Sequence, residues 1–107
     1  MKNKQKNLWK AYLDEHKDRM LKELTDILKI PSVSADPAYT NQVFSMAKDL
    51  EKRLTKVGLE EVCAYKTAGF PMVYGQKLID PNLPTVLVYG HYDVQPADPL
   101  ELWTSPP

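Results

Sequence analysis

The chain holds a single cysteine, Cys63, only four glycines, and no net charge at neutral pH. A lone cysteine rules out an internal disulfide, so the fold must rest on packing and hydrogen bonding. Fourteen basic residues against fourteen acidic ones leave no long-range field to attract nucleic acid or an anionic membrane surface. No apolar run approaches bilayer-spanning length. The basic start (Lys2, Lys4, Lys6, Lys10) reads as a solvated helix start and is not followed by the apolar stretch of a secretory leader. These absences give the expectation of a cytoplasmic protein with no nucleic-acid and no membrane partner. There is no internal repeat and no low-complexity tract, and 107 residues suit one domain with a core of its own.

What is present begins with helical periodicity. Leu8, Trp9, Tyr12, Leu13, His16, Met20, Leu24, Ile27 and Leu28 recur at three- and four-residue steps, which predicts an amphipathic helix from Lys6 to Lys29. Glu15 with Arg19 and Asp18 with Lys22 are spaced for ion pairs on its wetter face. Pro31 stops the helix, and Ser32 to Pro37 reads as a loop. A second helix is expected either from the Asp36 cap with Pro37 at its first position, or from Thr40. Val43, Ala47, Leu50, Leu54 and Val57 share one face of it, Asp49 pairs with Arg53, and Gly58 ends it with a left-handed cap.

Strand character follows. Val62 to Lys66 alternates, Met72 to Lys77 is a second candidate, and Thr85-Val86-Leu87-Val88-Tyr89 is apolar on both faces. The last run predicts a buried central strand. The expected fold class is therefore α/β, with two helices packed on a sheet.

The buried run leads straight into Gly90-His91-Tyr92-Asp93-Val94-Gln95-Pro96. Open α/β sheets carry their chemistry just past the carboxyl ends of strands. Gly90 would let the backbone approach closely. His91 offers an imidazole, the commonest zinc ligand. A ligating imidazole usually gives its other N–H to a carboxylate, and Asp93, two residues on, lies on the same side of an extended chain. His-x-Asp alone is a common pattern; its setting after an apolar strand is what gives it weight.

The longer run Leu83 to Pro107, LPTVLVYGHYDVQPADPLELWTSPP, closely resembles the first metal-binding segment of the M20 metallopeptidases. The tyrosine of Gly-His-Tyr-Asp-Val and the Gln-Pro after it resemble the dipeptidase branch, with the carnosinases and the cytosolic non-specific dipeptidases. Ile30-Pro31-Ser32-Val33-Ser34 resembles the family's loop after its first helix, and Trp103 with Pro106-Pro107 resembles the segment after the motif. The resemblance implies that residues 1–107 are the N-terminal portion of an M20 catalytic domain, truncated before most ligands and before any dimerisation domain. It makes His91 a zinc ligand and Asp93 the catalytic-site carboxylate that clamps it. It further implies two zinc ions in the full-length enzyme, a dipeptide or short peptide as substrate, and a homodimeric parent. Two other readings stay open: an M20 amidohydrolase acting on acyl-amino acids, and a non-catalytic α/β module that binds a partner or one metal.

Plainer roles suit the other reactive side chains. His16 lies among apolar neighbours of the first helix, where packing or partial exposure accounts for it. Cys63 reads as a small buried strand residue. Glu60 and Glu61 read as a solvated pair. Asp98 and Glu101 read as solvated loop carboxylates that could approach the site, and Trp103 as a filler of the core under that loop or a shield for the metal pocket.

Overall fold

A computed structural model describes residues 2–107. The elements are helix α1 (Lys2–Leu28), a 3₁₀ turn (Pro37–Tyr39), helix α2 (Thr40–Lys56), strands β1 (Glu60–Tyr65) and β2 (Met72–Gln76), and a second 3₁₀ turn (Leu100–Leu102). The strands form a two-stranded antiparallel sheet, in register Cys63↔Tyr74 and Tyr65↔Met72, with an irregularity between Glu60 and Cys63. Glu61 takes φ 51° within that irregularity, as an extra residue in one strand often does. The α/β expectation is borne out in two helices and this sheet.

Both expected starts of the second helix are present in sequence. Asp36 caps the 3₁₀ turn by accepting the Ala38 N–H at 2.9 Å, and α2 proper begins at Thr40. Its far end is stopped by Gly58 at φ 89°, a conformation costly for any residue with a Cβ. The apolar stripe of α2 packs on the sheet. Val43, Met46 and Ala47 are each 1% exposed, and the carboxylate of Glu51 reaches across to accept the Ala64 N–H at 2.7 Å. Met46 belongs to this stripe although it was outside the expected set, whereas Val57 lies past the end of the helix and is exposed. Phe44 meets Phe70 edge to face, which ties α2 to the loop between the strands.

Three expectations need correction. First, α1 does not lie on the sheet: Leu8, Trp9, Tyr12, Leu13, Leu21, Leu24 and Leu28 are all exposed. A long helix of good formers can present an apolar stripe that nothing in the same chain covers. Its cations also pair one turn later than expected, Arg19 with Glu23 at 3.0 Å and Lys22 with Asp26 at 2.5 Å, while Arg53 pairs with Asp49 as expected. His16 packs edge to face with Tyr12, as its position suggested. The reading of Lys2, Lys4 and Lys6 lies outside the described side chains.

Second, Thr85 to Tyr89 is no buried central strand. It pairs with no strand among the described residues, and Val86 to Tyr89 are 82–87% exposed. A strand exists through its ladder, and among the described residues the one ladder is the β1–β2 hairpin. Third, Cys63 is exposed, because its face of β1 is not the one α2 covers.

The core is thus small and specific. Met46→Ala should cost about 2–5 kcal/mol, since it empties a fully enclosed site. Leu8→Ala, on the uncovered stripe, should stay within about 0.5 kcal/mol. Urea unfolding followed by circular dichroism separates them; equal losses would contradict this placement of the core.

Candidate metal-ligand site

The site is assembled from two segments that lie about sixty residues apart. The loop after α1 runs beside the segment that follows the apolar run, and Val33 and Val94 form an isolated parallel bridge. The Val94 N–H donates to the Ser32 carbonyl at 3.0 Å. Ser32 is completely buried, and its hydroxyl donates to the Tyr92 carbonyl at 2.7 Å. The loop therefore holds the backbone on both sides of Asp93. From the other direction, the Tyr92 hydroxyl donates to the Pro71 carbonyl at 2.6 Å, which fastens the same segment to the loop between β1 and β2. Partial burial, and then the neighbouring Asp93, push the Tyr92 phenol above its ordinary pKa.

On this frame sit His91 and Asp93. The Nδ1 of His91 lies 2.8 Å from Oδ1 of Asp93 and 3.1 Å from the Asp93 carbonyl oxygen. The other carboxylate oxygen, Oδ2, accepts from the Ser34 hydroxyl at 2.6 Å. The Ser34 hydrogen bond first, and the His91 contact second, hold the Asp93 carboxyl below the ordinary carboxylate pKa. An ionised carboxylate only accepts, and so does a carbonyl, so the shared proton belongs to His91 Nδ1. In the neutral ring this leaves Nε2 with its lone pair free, on a side chain that is 76% exposed. Such a nitrogen can take a soft or borderline metal ion.

The structure thus brings His91 and Asp93 together as expected. It also adds Ser34 and Ser32, whose roles were not read from the sequence. The available signal was Pro-Ser-x-Ser after a helix: two hydroxyls at period two share one side of an extended segment. Among the described residues, no three His, Cys, Asp or Glu side chains gather closely enough to hold a metal ion. Asp98 and Glu101 form no such cluster with His91 and Asp93. Trp103 fills no core: it is half exposed, and its indole N–H donates to the Ala97 carbonyl at 2.9 Å. Glu60 and Glu61 are both exposed, and Glu60 pairs with Lys77 at 2.7 Å. A Cβ on Gly90 would meet open space, so no close approach explains that glycine.

No protein-family model matches the chain. Individual relatives do. The Cys-Gly metallodipeptidase of Schizosaccharomyces pombe is 35% identical over 104 residues, covering 89% of this chain and 22% of its own. The Cys-Gly metallodipeptidase of Saccharomyces cerevisiae is 32% identical, again over 89% of this chain and 22% of its own length. The human Beta-Ala-His dipeptidase is 32% identical, over 90% of this chain and 21% of its own. A solved structure of the Saccharomyces cerevisiae di-peptidase Dug1p superposes with a TM-score of 0.78 at 32% identity, covering 89% of this chain and 22% of that one. The chain spans about a fifth of the length of the curated relatives it matches. Its homologues are dipeptidases, metallodipeptidases among them, and the resemblance to the carnosinase-like dipeptidases holds across most of the chain.

The acidity of Asp93 carries a pH signature. Because its folded pKa is depressed, its contribution to stability is present above the ordinary carboxylate range and is lost as pH falls through the folded value. In Ser34→Ala the largest cause is removed, so the Asp93 carboxyl should titrate at higher pH than in the parent. Carbon-13 NMR of that carboxyl checks this; an unchanged midpoint would refute the assigned cause.

Proposed function

We infer that this chain is the N-terminal part of the catalytic domain of a zinc dipeptidase of the M20 type, to which it supplies one metal ligand, His91, and that ligand's orienting carboxylate, Asp93. The observation that carries the reading is the 2.8 Å contact between His91 Nδ1 and Asp93 Oδ1, which leaves Nε2 free on an exposed ring. Carboxylate–imidazole pairs of this kind are the usual support of a zinc-bound histidine. Similarity to dipeptidases over about nine-tenths of the chain supplies the reaction class.

The donor set fits zinc in kind and falls short in number. A neutral imidazole with its far nitrogen held by a carboxylate suits that ion, but a catalytic zinc takes about three protein ligands. The remaining ligands, a second zinc ion and the general base would come from residues outside this sequence. When bound, zinc polarises the scissile carbonyl and makes hydroxide available near neutral pH.

This chain's own residues contribute orientation. Asp93 keeps the His91 proton on Nδ1, so that the lone pair of Nε2 faces outward. The Ile30–Ser34 loop holds the backbone that carries both. The substrate proposed is a dipeptide or a short peptide. The relatives' names point to small dipeptides of varied composition, Cys-Gly and Beta-Ala-His among them.

The test uses the protein encoded by the full reading frame. His91→Ala should lower its zinc content and nearly abolish dipeptide hydrolysis. Asp93→Ala should keep more metal and lose about 10–100-fold in affinity or activity, the usual cost of removing such a partner. Metal analysis and a panel of dipeptides and acyl-amino acids decide the matter. Unchanged zinc and turnover in His91→Ala would remove the ligand assignment, and cleavage of acyl-amino acids alone would move the activity to the amidohydrolase class.

A further inference from the structure

We propose that Ser34 is a positioning residue for the imidazole: by pinning one oxygen of Asp93, its hydroxyl fixes which ring nitrogen of His91 carries the proton. The functional meaning rests on His91 being a metal ligand, but the proton's place can be measured with no metal present.

A carboxylate held at one oxygen only is free to turn, because the terminal torsion of aspartate is broad and roughly two-fold. Here both oxygens are occupied, Oδ1 by His91 Nδ1 at 2.8 Å and Oδ2 by the Ser34 hydroxyl at 2.6 Å. The side chains of His91 and Asp93 are 76% and 42% exposed, so water competes for every one of these contacts. Among the described residues, Ser34 is the one whose side chain donates to Oδ2. The backbone on which it sits is held, since the preceding residue Val33 bridges to Val94 and Ser32 is buried against the Tyr92 carbonyl.

Without the Ser34 hydroxyl, Asp93 can turn toward water and His91 Nδ1–H loses its fixed acceptor. The neutral ring then also populates the form protonated on Nε2, which has no lone pair to offer a metal. One feature argues the other way: the Asp93 carbonyl oxygen also faces Nδ1, at 3.1 Å, and could hold the proton there unaided. The experiment must separate the two.

The 107-residue chain, labelled with nitrogen-15 in histidine, is studied by ring NMR above the imidazole titration and without metal. His16→Gln identifies the signals of the second histidine. In the parent, Nδ1 should report as protonated and Nε2 as bare. Ser34→Ala should raise the Nε2–H population about two- to tenfold, the range expected from one net hydrogen bond. Ser34→Cys, of similar size but a weak donor, should do the same, and Ser34→Thr should restore the parent pattern. The amide signals of Val33 and Val94 report whether the bridge persists; if Ser34→Ala loses it, the Ser34→Cys result decides. Retention of the parent pattern in Ser34→Cys with the bridge intact would overturn the proposal and assign the task to the Asp93 carbonyl. That outcome is separate from the zinc measurement on His91→Ala, which tests the ligand reading itself.

Discussion

The clasp between residues 32–34 and 92–94 is the contact on which the site depends. It consists of one backbone bridge, one buried hydroxyl on a carbonyl and one hydroxyl on a carboxylate. Each such bond contributes about 0.5–1.5 kcal/mol net, more where a charge takes part, so the three are modest in energy and large in consequence. They convert an exposed imidazole on a segment without strand pairing into one with a defined proton and direction. The hydrophobic core stands close behind, with Val33 in the clasp and Val43, Met46 and Ala47 under the sheet.

How much of this was legible in the sequence depends on how local the cause is. The Asp36 cap, the Pro37 start and the Gly58 stop are properties of a few neighbouring residues, and they appear where the sequence puts them. The His91–Asp93 contact is local too, two residues apart in an extended segment. The clasp is different. Nothing in Pro-Ser-Val-Ser states that its hydroxyls will meet a segment about sixty residues away, so Ser32 and Ser34 read as loop chemistry alone. The run Thr85 to Tyr89 fails for the opposite reason. Its apolar composition describes an environment on both faces, and no described residue of this chain supplies one.

Surface area makes the same point in magnitude. A compact protein of 12.2 kDa exposes about 6,000 Å². This chain exposes 9554 Å² and extends over 51 × 37 × 19 Å. Exposed large apolar side chains lie along the stripe of α1 and over Val86 to Tyr89. The site itself needs no cover over them. The groups that aim His91 all lie in the loop after α1, in the hairpin loop, or within three residues of His91 itself.

The direction of those contacts along the chain has a consequence for synthesis. Ser32, Ser34 and Pro71 all precede His91, and Asp93 and Val94 follow it within three residues. A ribosome delivers the chain from its N-terminus at about 5–20 residues per second, so the gripping loop is made several seconds before the histidine it serves. Once Val94 clears the exit tunnel, every partner needed to aim the ring is already outside. The imidazole can thus be set during translation, without waiting for any residue still to be added.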